Sequence, residues 1–327
     1  MKEKYFLGIS FVLSWGIELV LILTGHTKDA MFSYLSPLIV LAPALAILVT
    51  KYAIKEPLWM NFWLKPEGRG TVKYSLIGWL APVLLVVVGT GFYFLIFRDN
   101  FDSSMSSYIA ALQEKDEALK EFNNNEIRDT LIYNILLNIP LAPFLNLFTC
   151  VGEEVSWRGY FLNMLCNKHP KWRAVLIDGI VWGIWYFPLV IGMGLFYGKD
   201  YAGYPFIGCL STLVYCMVMG TIYSYLTIKT NSCIPAILAN ACVSTMTPVG
   251  SVFLKDPDRV GVFLNYMPTS IIGGIGFILT ALVLMYFFIK DRIGPEPIKL
   301  PGVSNKNYSG TSMKQRMQNE HLKRNRS

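Results

Sequence analysis

The stretch YSLIGWLAPVLLVVVGTGFYFLIF, Tyr74–Phe97, runs for 24 residues without an Asp, Glu, Lys, Arg or His. About 20 apolar residues in a helix cross a hydrocarbon slab roughly 30 Å thick, so this run alone is long enough to span a bilayer. Working outward, seven more runs approach that length: Tyr5–Thr24, Met31–Thr50, Leu131–Val151, Ala174–Phe196, Pro205–Ile228, Cys233–Val249 and Thr269–Ile289. The seventh span in chain order is short, and the fourth carries Pro140 and Pro143. Over 327 residues the chain is 53% hydrophobic and 16% charged, with mean hydropathy +0.42, far from an ordinary soluble domain. The expected fold is all-α: a polytopic membrane helical bundle of about eight transmembrane helices. The first run is too long for a signal-peptide core and lacks a small-x-small cleavage site, so it reads as a retained span.

Orientation follows from Lys and Arg, which resist translocation. With both termini placed in the cytosol, the inner segments hold 21 of the 29 basic residues and the outer ones 8. The long outer loop, Arg98–Thr130, has eight acids against four bases. The net charge of +7 is therefore mainly a topology signal with a basic tail that can touch anionic lipid, and no nucleic-acid partner is needed to explain it. This reading places the chain as a multi-pass protein of a cell membrane, in a bacterial cytoplasmic membrane. The six cysteines form no CxxC pair and lie in spans or on the inner side, where structural disulfides are not expected.

No internal repeat suggests a duplicated transporter. One membrane domain, residues 1–290, is followed by a basic, Pro/Gly/Ser-containing cytosolic tail, residues 291–327, expected to be disordered. In the outer loop, SYIAALQEKDEALKEF places Ile109, Leu112, Leu119 and Phe122 at helical spacing, as in an amphipathic surface helix. Trp59, Trp63, Trp172 and Tyr74 fall near membrane boundaries, where aromatic side chains anchor at the interface.

A charge near the bilayer centre costs at least about 2.5 kcal/mol, so each must face protein, water or a partner. The exceptions are few: Glu18 in the first span, Asp178 in the fifth, and Glu153, Glu154 and Arg158 at the inner end of the fourth. Residues four apart share a helical face, so Glu154 can reach Arg158 while Glu153 points elsewhere. Asp178, Trp182 and Tyr186 fall at i, i+4 and i+8; Asn240 and Ser244 repeat that spacing among Ala236, Ala239 and Ala241. Three helices thus offer polar groups to one interior. Asn, Ser and Tyr in bundles more often serve as interhelical hydrogen-bonding groups than as reactive ones. Two adjacent desolvated carboxylates suit a general base or acid, although a helix end beside headgroups can also tolerate them.

The order GEEVSWRGYFLNML (Gly152–Leu165), IVWGIWYFPLV (Ile180–Val190), YGKDYAGYP (Tyr197–Pro205) and NSCIPAILANACVS (Asn231–Ser244) resembles the CPBP proteins. These are the CAAX protease and bacteriocin-processing family of intramembrane endopeptidases, also called Abi. The similarity covers roughly residues 131–245: EEVSWRG matches EExxxR, and the WGxWxxP and PAxLAxA contexts follow in order. In that family the first glutamate activates water, and histidines of two later motifs, FxxxH and HxxxN or HxxxD, act as metal ligands or hydrogen-bonding partners. The resemblance assigns Glu153 as the first glutamate, Glu154 as its neighbour and Arg158 as the arginine. The FxxxH pair becomes Trp182 and Tyr186, and the last motif becomes Asn240 and Ser244.

Both motif histidines are therefore replaced, and the three histidines present, His26, His169 and His321, lie outside the motif helices. A hydrolytic zinc site normally takes three protein ligands, so no cofactor is expected, and zinc only if the ligand set departs from the family pattern. Cys150 and Cys242 are near the motifs but read as packing residues. Two functions follow. In the first, a degenerate member keeps the fold to bind a transmembrane or lipidated peptide as an immunity, regulatory or scaffold subunit. In the second, an active intramembrane endopeptidase uses Glu153 to deprotonate water while Tyr186 and Asn240 donate to the oxyanion.

Overall fold

The computed structural model describes residues 2–27, 29–57, 62–64, 70–257, 259 and 261–294. These form ten α-helices and no named strand: α1 (Lys2–Leu23), α2 (Ala30–Ala53), α3 (Thr71–Ile96), α4 (Ser106–Lys115), α5 (Asn124–Leu145), α6 (Leu147–Cys166), α7 (Lys171–Trp185), α8 (Phe206–Thr230), α9 (Ile234–Met246) and α10 (Ile275–Ile289). Among the described residues six helices or helix extensions are long and apolar enough to cross a membrane, and the bent α5–α6 pair is a broken span or a re-entrant element. Residues such as Val12, Leu23, Val72, Leu84, Leu210 and Leu282 are apolar yet exposed on the outside of the bundle. The chain is a multi-pass membrane protein of the all-α class.

Local chemistry explains the helix ends. Asp29 caps α2 by accepting from Met31 N and Phe32 N at 3.0 and 3.3 Å. Asn123 and Glu126 form a reciprocal capping box that starts α5. The eighth expected span shortens: helix begins at Ile275, whereas Thr269 sits in the turns before it. The outer-loop helix also ends early. Asp116 leaves α4 in an extended conformation and caps a short 3₁₀ turn, Glu117–Glu121, instead of letting the helix run to Phe122. Ile109 is buried with Met105, Ile127 and Val252, while Phe122 is exposed.

The fourth span differs most from expectation. The pair α5–α6 is bent by 40°, and the bend follows Pro140 and Pro143, which remove two backbone donors. Helix α9 stitches this break: Thr245 Oγ1 donates to Ala142 O at 3.1 Å and accepts from Asn146 Nδ2 at 2.9 Å. Glu153 and Glu154 are therefore not at a helix end. They lie inside α6, which continues for thirteen residues beyond Glu153, roughly 20 Å at 1.5 Å per residue, to Cys166. Val155–Phe161 is wound as a π-helix, with Leu162 N bonded back to Trp157 O.

Helix α9 packs against α3, α5, α6 and α8, which puts it at the centre of the bundle. At the α7–α8 crossing, a Cβ on Gly179 would stand 2.8 Å from Met217 Cα and one on Gly183 would stand 3.0 Å from Leu213 Cα. Only glycine lets these two backbones meet so closely. Tyr74 is buried against Tyr225 rather than placed at an interface, correcting its reading as an anchor. Trp63 pins the bundle through its backbone, with its N bonded to Gly159 O and its O accepting from Cys233 N. Trp59, expected as an anchor, and residues 295–327, expected as a disordered tail, lie outside the described residues. The six cysteines are all free thiols.

Candidate functional site

Three helices converge on Glu153. Tyr186, the residue that ends α7, donates its hydroxyl to Glu153 Oε1 at 2.9 Å. Asn240 of α9 donates through Nδ2 to Glu153 Oε2 at 3.3 Å and to Glu154 Oε1 at 2.9 Å. One amide therefore joins the two adjacent carboxylates. Glu153 retains 8% exposure and Tyr186 is half-buried, whereas Glu154 is fully enclosed. The accessible side of the cluster is thus the Glu153 side.

Behind it lies an ion-pair layer. Arg158 reaches Glu154 Oε1 through Nη1 at 3.3 Å and Asp178 Oδ2 through Nε at 3.3 Å, with all three side chains fully buried. Its guanidinium carbon lies 4.0 Å from the centre of the Trp182 ring and 5.4 Å from that of Tyr223. The fork geometry of arginine permits two carboxylate contacts and two aromatic stacks at once; a lysine would supply only a point charge. Glu154 thereby braces helices, while Glu153 has no ion pair with Arg158. Glu154 Oε2, Asp178 Oδ1, Arg158 Nη2 and Tyr223 OH are buried without hydrogen-bond partners among the described residues. A site with such spare polar capacity suits water or a polar ligand better than dry packing.

Of the six sequence-assigned site residues, five meet here: Glu153, Glu154, Arg158, Tyr186 and Asn240. Ser244, one turn beyond Asn240, is itself exposed, and its side chain lies beside the Cys150 thiol of α6 instead of bonding to either carboxylate. Asp178 and Trp182, noted as a stripe but not assigned to the site, are integral to its support. Tyr223 and Gly220 escaped sequence reasoning altogether. A Cβ on Gly220 would approach Arg158 Nη2 to 3.2 Å, so this glycine makes room for the guanidinium. The available signal was the Cys216, Gly220, Tyr223 spacing on one face of α8.

Among the described residues no group of three His, Cys, Asp or Glu side chains converges in a way that could hold a metal ion. The donors around Glu153 are a phenol and an amide, a poor set for zinc. Residues 135–246 match the family model for the type II CAAX prenyl endopeptidase Rce1-like proteins. This region contains every member of the cluster. Over this third of the chain the protein is similar to the CAAX proteases. A 47-residue segment is also 38% identical to CAAX prenyl protease 2 of Methanococcus maripaludis, covering 14% of this chain and 17% of that relative. The matched core of this multi-pass membrane protein takes in the second half of α5, then α6, α7, α8 and α9.

Proposed function

We propose that this CAAX protease-like protein is a degenerate member, weak or inactive in hydrolysis, that binds a transmembrane or lipidated peptide in a regulatory, immunity or scaffold role. The observation that carries this reading is the occupation of Glu153: one oxygen accepts from Tyr186 and the other from Asn240. These two residues stand at the positions the family resemblance gives to histidine. An imidazole can accept or donate a proton near neutral pH, whereas a phenol and an amide there act as fixed donors. Both are spent on the base they should assist. The positive-inside bias of the sequence supports cytosolic termini.

The alternative reading is an active intramembrane endopeptidase, favoured by the residual exposure of Glu153 beside fully enclosed Glu154. Glu153 would take a proton from water as the oxygen adds to the peptide carbonyl. Tyr186 or Asn240 would turn toward the oxyanion. The carbon–nitrogen bond would break as Glu153 returned its proton to the leaving amine. Full-length protein in nanodiscs, incubated with a farnesylated peptide ending in a CaaX sequence, separates the two. The degenerate reading predicts photo-crosslinking of intact peptide; cleavage that disappears in Glu153→Gln would establish the alternative.

A further inference from the structure

A second polar pocket opens where the start of α1, the segment after α2 and the end of α6 meet. Its volume is about 390 Å³, and Lys2, Glu3, Glu56, Tyr160, Asn167 and Lys168 line it. It is separate in composition from the Glu153 cluster. Two ion pairs cross it: Lys2 Nζ to Glu56 Oε2 and Lys168 Nζ to Glu3 Oε2, each at 2.8 Å. An ammonium has three donors, and each lysine spends only one of them on its glutamate. The Tyr160 side chain is fully buried in the wall, yet its hydroxyl has no hydrogen-bond partner among the described residues; neither has buried Glu3 Oε1.

The pocket therefore presents spare donors from two ammonium groups and a phenol, with a spare carboxylate oxygen close by. A simple anion would satisfy the lysines and meet repulsion from Glu3. A simple cation would do the reverse. A ligand carrying both charges a few bonds apart satisfies each set. Its position at the ends of membrane-spanning helices is the depth at which lipid headgroups lie. We propose that this pocket binds a phosphoethanolamine group, with phosphate toward Lys2, Lys168 and Tyr160 and the primary ammonium donating to Glu3 Oε1. The group comes either from a phospholipid or from the soluble amine.

Native mass spectrometry of the full chain in detergent tests this with phosphatidylethanolamine, phosphatidylcholine and phosphatidylglycerol of identical acyl chains. Phosphatidylethanolamine should be retained about tenfold better than either, because the quaternary amine cannot donate to Glu3 and the glycerol headgroup carries no cation. Soluble phosphoethanolamine should displace it, and Glu3→Gln and Tyr160→Phe should each reduce retention, while Glu153→Gln leaves it unchanged. The headgroup ranking needs no variant, so it decides even if one fails to fold. Equal retention of the three lipids, insensitivity to soluble phosphoethanolamine, or wild-type retention by both folded pocket variants would overturn the assignment.

Discussion

The hydroxyl of Tyr186 lies 2.9 Å from Oε1 of Glu153, joining the end of one membrane helix to the middle of another. The contact arises because α7 stops at Trp185, leaving Tyr186 as its terminal cap two residues before Pro188. Helix α1 holds this terminus: Trp15 Nε1 donates to Trp185 O at 3.1 Å, and Trp185 Nε1 donates to Ser14 Oγ at 2.8 Å. A fixed donor of this kind binds a carboxylate well but cannot exchange protons as imidazole does.

On the degenerate reading, supplying imidazole at these positions should supply hydrolytic activity. The variant Tyr186→His with Asn240→His is expected to raise farnesyl-peptide hydrolysis by roughly 100-fold or more, the usual scale for a lost catalytic donor. Product formation followed by mass spectrometry checks this. A wild-type rate equal to or above that of the double variant would contradict the degenerate reading.

Arg158 is expected to be a stability residue. Arg158→Met would leave Glu154 and Asp178 buried without their cation, a loss of about 3–5 kcal/mol by the behaviour of broken buried ion pairs. Arg158→Lys should recover only part of it, since one ammonium cannot reproduce the contacts to Glu154 and Asp178 together with the stack on Trp182. Thermal unfolding in detergent distinguishes the three proteins.

Much of this arrangement was legible in the sequence because polar residues are expensive in apolar helices. Glu154 and Arg158 four residues apart, and Asp178, Trp182 and Tyr186 at two successive turns, specify faces that the folded bundle brings together. The bend at Asn146 was foreshadowed by two prolines, but its capture by Thr245 depends on a helix about a hundred residues away. Ser244 shares a face with Asn240 as the spacing implies, but its side chain lies beside the Cys150 thiol one turn before the glutamates. The space made by Gly220 and the glycine crossing of α7 with α8 are matters of backbone approach, which single-sequence periodicity does not report.

That crossing supplies a third prediction. Gly179→Val would force a side chain into the 2.8 Å gap to Met217 Cα, at a cost of about 1–3 kcal/mol. It should also loosen the neighbouring Asp178–Arg158 pair. A variant with unchanged thermal stability would show that α7 and α8 are farther apart than described.

Outside the membrane, Asp102 offers a pH test. Its carboxylate accepts from the hydroxyl and amide of Ser104 at 2.5 and 2.8 Å, and from those of Ser106 at 2.5 and 2.7 Å. These bonds hold its pKa well below the ordinary carboxylate value. A lowered folded pKa gives stability that is present above the unfolded value, near 4, and is lost as pH falls toward the folded value. Amide hydrogen exchange across residues 101–115, corrected for intrinsic rate, should therefore lose protection progressively below about pH 4. Asp102→Asn should remove that dependence; a titration identical to wild type would contradict the role of this turn.

The most direct test of the Glu153 site is a double-mutant cycle on thermal stability between Glu153→Gln and Tyr186→Phe, because it needs no substrate. A direct hydrogen bond predicts a coupling above about 0.5 kcal/mol, whereas separated side chains would give effects that add to within about 0.5 kcal/mol. Additivity would contradict the joining of Glu153 and Tyr186 in one pocket.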